Sequence, residues 1–183
     1  LIAFASSRER IPPARTNGRI RDDVRLLVRT PAWIAVAVAA MLTPVALASR
    51  ASSALFWFRY VAGDDGTPIF LFLDRIGLFY TAFAVGQLAG VVFAASMARR
   101  FDKAHLLIFA GSVEVAAIAI FHLMPLDAIW PQTIAQVFVG VGLGMMMMLA
   151  YSMFTDIAEY LDWSTGRQMT GLAVSGAVFA IKT

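Results

Sequence analysis

Apolar residues in this chain come in long unbroken runs, separated by short polar stretches. A helix needs about 20 mainly apolar residues to cross the hydrocarbon of a bilayer. Four runs reach that length: residues 32–60, 69–97, 104–124 and 129–154. The first, "AWIAVAVAAMLTPVALASRASSALFWFRY", is long enough to cross with tilt or a kink at Pro44. From Met169 the chain turns apolar again and stops at Thr183, about 15 residues on, short of a full crossing. The opening "LIAF" reads as the tail of a preceding span, and no initiator methionine stands before it. The pattern therefore predicts an all-α polytopic membrane protein, seen here as an internal piece with about four and a half transmembrane helices.

Composition agrees. Hydrophobic residues make up 60% of the chain and charged residues 15%, against about 45–50% and about 25% in soluble domains. Too few polar residues remain to cover a soluble surface. The first apolar stretch is four residues long and its basic region follows it, the reverse of a signal peptide. With no cysteine in the chain, disulfides and thiol chemistry are excluded.

Lysine and arginine placement sets the orientation. Seven arginines lie between Arg8 and Arg29, and the loop after the second run carries Arg99, Arg100 and Lys103. The alternate loops hold Asp64 and Asp65, or neither lysine nor arginine in "HLMPLDAIWP". Basic loops face the cytoplasm, so the arm, the loop at residues 99–103 and the charged stretch after residue 154 are all predicted there. Beside membrane spans, the basic arm is explained by topology and anionic headgroups, and nucleic acid is not an expected partner.

Within the runs, most small features read as packing. Gly140 and Gly144 are four apart, as are Gly86 and Gly90, the small-residue spacing that lets two helices approach closely. The sequence "GVGLG" lacks the strand and the third spacing of a nucleotide-binding loop. Met145 to Met148 point in successive directions around a helix and read as filler facing lipid or a helix, not a metal site. His105 and His122 fall at span ends. No metal-ligand spacing and no nucleophile–base arrangement is visible, so no catalytic residue, no metal and no enzymatic activity is predicted.

Ionisable or polar groups inside the runs are costly in lipid and usually face a cavity or a partner. Arg50, Glu114, Lys182 and Gln87 are the candidates. Arg50 either snorkels to the outer interface or faces a cavity. Glu114, near the middle of its run, is expected to hydrogen-bond to a neighbouring helix. Lys182 lies roughly 20 Å along a helix from the charged stretch at 1.5 Å per residue, beyond simple snorkelling. Trp57 and Tyr60, near the end of the first run, fit an interfacial belt.

The stretch "FTDIAEYLDWSTGRQ", residues 154–168, packs Asp156, Glu159, Tyr160, Asp162 and Arg167 between two apolar runs. Asp156–Ile157, Glu159–Tyr160, Asp162, Thr165–Gly166–Arg167 and then Lys182 resemble the glycoside–pentoside–hexuronide:cation symporter family of the major facilitator superfamily. Its pattern is close to A-D-x-x-D-Y-x-E-x-x-T-G-x-R, with a lysine about twenty-six residues after the first Asp; Asp156 to Lys182 is 182 − 156 = 26 residues here. "SSRERIPP" is similar to the basic stretch that opens the family's central loop. Thr155 replaces the usual Ala, Glu159 the second Asp and Asp162 the Glu, and Arg167 comes one residue early.

The resemblance implies a major facilitator-type helix bundle. Residues 1–31 would be the end of a helix and the central cytoplasmic loop; residues 32–183 would be helices seven to ten and part of helix eleven. It implies cation-coupled sugar symport in a bacterial inner membrane, with Na⁺, Li⁺ or H⁺ bound in the other half of the protein and no further cofactor. Lys182, Arg50 and Gln87 would then serve substrate binding or coupling. Asp156, Glu159, Tyr160, Asp162 and Arg167 would form a cytoplasmic gate with Arg99, Arg100 and Lys103. A facilitator for a lipid, drug or organic acid, and a non-transport membrane protein, remain the alternatives.

Overall fold

The computed structural model describes residues 20–166 together with Gly171, Ser175 and Gly176. Among the described residues up to Gly166, five α-helices follow one another: α1 (Ile20–Arg29), α2 (Pro31–Phe56), α3 (Arg75–Met97), α4 (Lys103–Leu123) and α5 (Ile129–Thr165). Four of them, α2 to α5, are long and apolar enough to span a bilayer. The apolar runs thus become helices, because in lipid a helix satisfies every backbone group within its own segment. Apolar side chains such as Leu88, Val92 and Val115 stand about 70% exposed on the outside of the bundle, the surface a lipid solvent requires.

Local chemistry sets the helix ends. Pro31 occupies the first turn of α2, where its missing N–H costs nothing, and it separates α2 from the short α1. The helix is continuous through Pro44. After Phe56 it widens into a π turn, Trp57–Val61. The second run was expected to be helical from residue 69, but α3 begins at Arg75. Asp74 caps it, its carboxylate accepting from the Gly77 N–H at 2.7 Å, and residues 70–73 instead form a tight reverse turn with Leu71 at φ 54°. Asp102 caps α4 in the same way.

The fourth run extends well past its expected end. At 37 residues, α5 is about 55 Å long against a hydrocarbon core of about 30 Å. Residues 155–165, expected as part of a loop, continue the helix as it projects beyond the hydrocarbon at that end. No glycine or proline interrupts them, and Phe154, Ala158 and Leu161 bury one face. Gly166, at φ 66°, then ends the helix, its N–H bonding the Asp162 carbonyl, a left-handed cap that glycine adopts without strain.

Helix α5 is the centre of the bundle and packs closely on α3 and α4. Gly86 and Gly90 of α3 sit against the Val137 and Val141 carbonyls of α5, while Gly140 and Gly144 of α5 sit against the Phe83 and Gln87 carbonyls of α3. Gly142 fits between Ala110 and Glu114 of α4. The four-residue spacing therefore does mark a close helix crossing. Met145 is fully buried among Ala94, Leu106, Ala110 and Leu149, so this methionine faces helices. At the projecting end of α5, α1 lays Leu27 on Ala158 and Leu161.

Candidate functional site

Arg50 is the residue on which the spans converge. It lies near the outer end of α2, and its Nη2 donates to Oε1 of Gln136 on α5 at 2.7 Å. Its guanidinium sits over two rings, 5.2 Å from the centroid of Phe79 on α3 and 5.8 Å from that of Phe121 on α4. It also lies within electrostatic reach of Glu114 on α4. One side chain thereby ties four helices together. A hydrogen bond to a charged group contributes about 1.5–3 kcal/mol, and cation–π contacts reach about 2 kcal/mol once desolvated.

The cavity beside Arg50 has a volume of about 190 Å³ and is walled by Ser53, Trp57, Phe58, Phe121 and His122. Aromatic contacts fix the wall: Trp57 and Phe121 rings lie 5.5 Å apart, and Phe58 meets Phe79 edge-on at 5.1 Å. An open cavity with one guanidinium, a hydroxyl, an imidazole and several rings can hold a ligand that hydrogen-bonds on its edges and stacks on its faces. His122 is anchored within its own helix, Nδ1 lying 2.9 Å from the Ile118 carbonyl.

A second arginine closes the outer end. Arg75 Nη1 donates to the Ala62 carbonyl at 3.2 Å, and Nη2 reaches Oε1 of Gln132 at 3.4 Å. Gln132 in turn donates from Nε2 to the Pro125 carbonyl at 2.9 Å. This chain of bonds links the α2–α3 connection, α3, α5 and the α4–α5 connection. Gln132 and Gln136 are both buried. Sequence reading passed over both, and over Arg75. Two glutamines four apart in an apolar run occupy one helix face, and that was the available signal.

The other candidates are distributed as follows. Gln87 does not line the Arg50 cavity; its Nε2 donates to Met147 Sδ at the α3–α5 crossing. Glu114 makes no hydrogen bond among the described residues, contrary to expectation, because its Cβ backs onto Gly142 and its carboxylate meets Arg50 only at longer range. Trp57 lines the cavity, while Tyr60 is exposed and stacks on Phe56. Lys182 and Arg167 lie outside the described residues.

At the other end of the bundle, Lys103 at the start of α4 pairs with Asp156 of α5. This ion pair is partly exposed, and such pairs contribute about 0–1 kcal/mol. Arg99 and Arg100 are exposed and form no ion pair among the described residues. Glu159 and Tyr160 are exposed on α5, Tyr160 with its ring 6.4 Å from that of Trp163, and Asp162 is half-buried. Next to Lys103, the cap carboxylate of Asp102 is held below its ordinary value of 3.8, first by the Ala104 N–H and then by His105. In the outer loop, Asp65 is lowered likewise by the hydroxyl and N–H of Thr67. No cluster of three or more histidines or carboxylates suits a metal ion among the described residues.

The family described as "MFS/sugar transport protein" matches residues 1–183. The chain is 22% identical over 182 residues to "Inner membrane symporter YicJ" of Escherichia coli (strain K12), covering 99% of this chain and 38% of that protein. It is 21% identical over 174 residues to "Glucuronide carrier protein homolog" of the same organism, covering 95% of this chain and 36% of that protein. The chain thus spans under two-fifths of the length of these curated relatives. No solved structure matches it.

Proposed function

The chain belongs to the MFS/sugar transport protein family, and from that premise we propose that it works as part of a cation-coupled sugar symporter of a bacterial inner membrane. The relatives named as a symporter and as a glucuronide carrier homolog support this reading, as does the resemblance of residues 156–182 to glycoside–pentoside–hexuronide symporters. The observation that carries it is the convergence of four spans on Arg50 beside an aromatic-walled cavity. Transport would follow alternating access, two helix bundles rocking about the bound solute.

In this scheme the sugar stacks on Trp57 and hydrogen-bonds to the guanidinium of Arg50. Lys182 answers a carboxylate of the other bundle and so links cation occupancy to sugar binding; Gln87 serves the α3–α5 crossing. The coupling cation, Na⁺, Li⁺ or H⁺, binds in that other bundle. On the cytoplasmic side Lys103 and Asp156 form the contact that breaks on opening, and Glu159 and Asp162 follow on the same helix.

Counterflow of labelled sugars by the full-length protein in vesicles, with and without Na⁺ or a proton gradient, tests the proposal. Cation-stimulated sugar exchange that falls at least tenfold in Arg50→Gln is expected. Exchange of organic acids but of no sugar would overturn the substrate class, and sugar exchange indifferent to every cation would overturn the coupling.

A further inference from the structure

Helix α1 carries a surface that none of the transport machinery uses. Arg21, Arg25 and Arg29 follow one another at four-residue spacing, so they form one stripe along the helix. Val24 and Val28 lie beside that stripe and are 41% and 54% exposed. The opposite face is buried, with Leu27 3% exposed against Ala158 and Leu161 of α5 and Asp23 8% exposed. One acidic group, Asp23, is thus turned away from the stripe, and Asp22 lies at its edge. The outward surface is therefore apolar along one side and cationic along the other.

The height of α1 is fixed by its neighbours. It ends one residue before the membrane-spanning α2 begins at Pro31. It packs on Leu161, and on that same turn of α5 Tyr160 and Trp163 stand 61% and 83% exposed. Exposed Tyr and Trp next to a span mark the headgroup layer. Arg8, Arg10, Arg15 and Arg19 precede α1 in the sequence, and the cytoplasmic leaflet carries the anionic lipids that such residues attract.

We propose that α1 is a seat for anionic phospholipid headgroups, with Val24 and Val28 dipping into the acyl boundary and Arg21, Arg25 and Arg29 binding lipid phosphates. Amphipathic helices with an arginine-bearing polar face lie in the interface in this way. The lipid would hold α1, and through Leu27 the projecting end of α5, at a fixed level. The inference does not depend on which solute is carried.

The test uses the full-length protein with a fluorophore on Val24→Cys as the only reactive cysteine, in vesicles containing brominated phosphatidylglycerol or brominated phosphatidylcholine. Stronger quenching by the brominated anionic lipid at equal mole fraction is expected, with the preference shrinking in 0.5 M NaCl. Each arginine changed to glutamine should lower that preference by about fivefold, the equivalent of about 1 kcal/mol per basic residue near the surface. The triple variant should lose the preference yet keep quenching by the neutral lipid, because the valines still reach the boundary. Since all three arginines are exposed, a single Arg25→Gln variant gives the same reading with little risk to folding. Equal quenching by both lipids in the unsubstituted helix overturns the proposal. So does an absence of quenching by either lipid, which would mean that α1 faces protein.

Discussion

Replacing Gly140 by alanine perturbs the α3–α5 crossing where the two backbones meet. A Cβ on Gly140 would strike the Phe83 carbonyl oxygen and lie 2.8 Å from the Gln87 nitrogen and 3.1 Å from the Gly86 carbonyl carbon. These are backbone atoms of α3, so no side chain can swing aside. The two helices must part by on the order of an ångström, and overpacking of this kind costs about 1–3 kcal/mol. Alanine also gains about 1 kcal/mol over glycine in a helix interior, which masks part of that cost. Gly111→Ala removes the ambiguity, because a Cβ at Gly111 meets nothing nearer than Met146 Sδ at 4.0 Å. It carries the helix gain without the clash, and the difference between the two variants isolates the crossing.

Thermal unfolding of the detergent-solubilised full-length protein, followed by tryptophan fluorescence, is the assay. Gly140→Ala should melt several degrees below Gly111→Ala, at roughly 2–4 °C per kcal/mol for a domain of this size. Adding Gly86→Ala to Gly140→Ala should cost less than the sum of the two, since helices already parted for one Cβ accept the second more easily. Equal melting of Gly140→Ala and Gly111→Ala would refute the crossing as described.

At the cytoplasmic end, Lys103→Asp and Asp156→Lys should each alter transport rate more than apparent affinity, and the double exchange should restore the rate; rate measurements showing no rescue would remove that ion pair from the gate. Impermeant thiol reagents applied to intact cells should label Asp65→Cys but not Arg100→Cys, both exposed positions; external labelling of Arg100→Cys would invert the topology. The Asp102 carboxylate, held low by its cap bond, stabilises the start of α4 above its unfolded pKa, and that contribution is lost as pH falls through its lower folded value. Melting temperature should therefore fall with acidification below pH 4 less steeply in Asp102→Asn than in the parent protein.

The spans were legible in the sequence because they rest on a chain-local quantity. Run length decides whether a helix crosses the hydrocarbon. The four-residue glycine spacing was legible for the same reason. Errors arose where a short-range signal competed with the run. Asp74 at a cap position delayed α3 despite the apolar residues 69–72, and the charges of residues 156–165 looked like a loop although they lie on a helix with a buried face.

Partner choice across the bundle is a different kind of information. Nothing local to Arg50 says that it meets a glutamine 86 positions away in preference to water at the outer interface. Snorkelling and cavity-facing placement were balanced because both satisfy a lone guanidinium equally well in sequence. What decides between them is the aromatic wall: Phe79 and Phe121 come from α3 and α4 and meet over the guanidinium only once the glycine crossing has drawn α3 onto α5. Glu114 shows the same dependence. Its midspan position marked it as paired, yet its backbone is held against Gly142, and that close approach leaves Arg50 a neutral hydrogen-bond partner and a more distant carboxylate. A guanidinium tied loosely in this way retains donors for a ligand, whereas a tight bidentate salt bridge would have spent them. The small residues that read only as packing thus decide how the charged residue in the membrane is presented to the cavity.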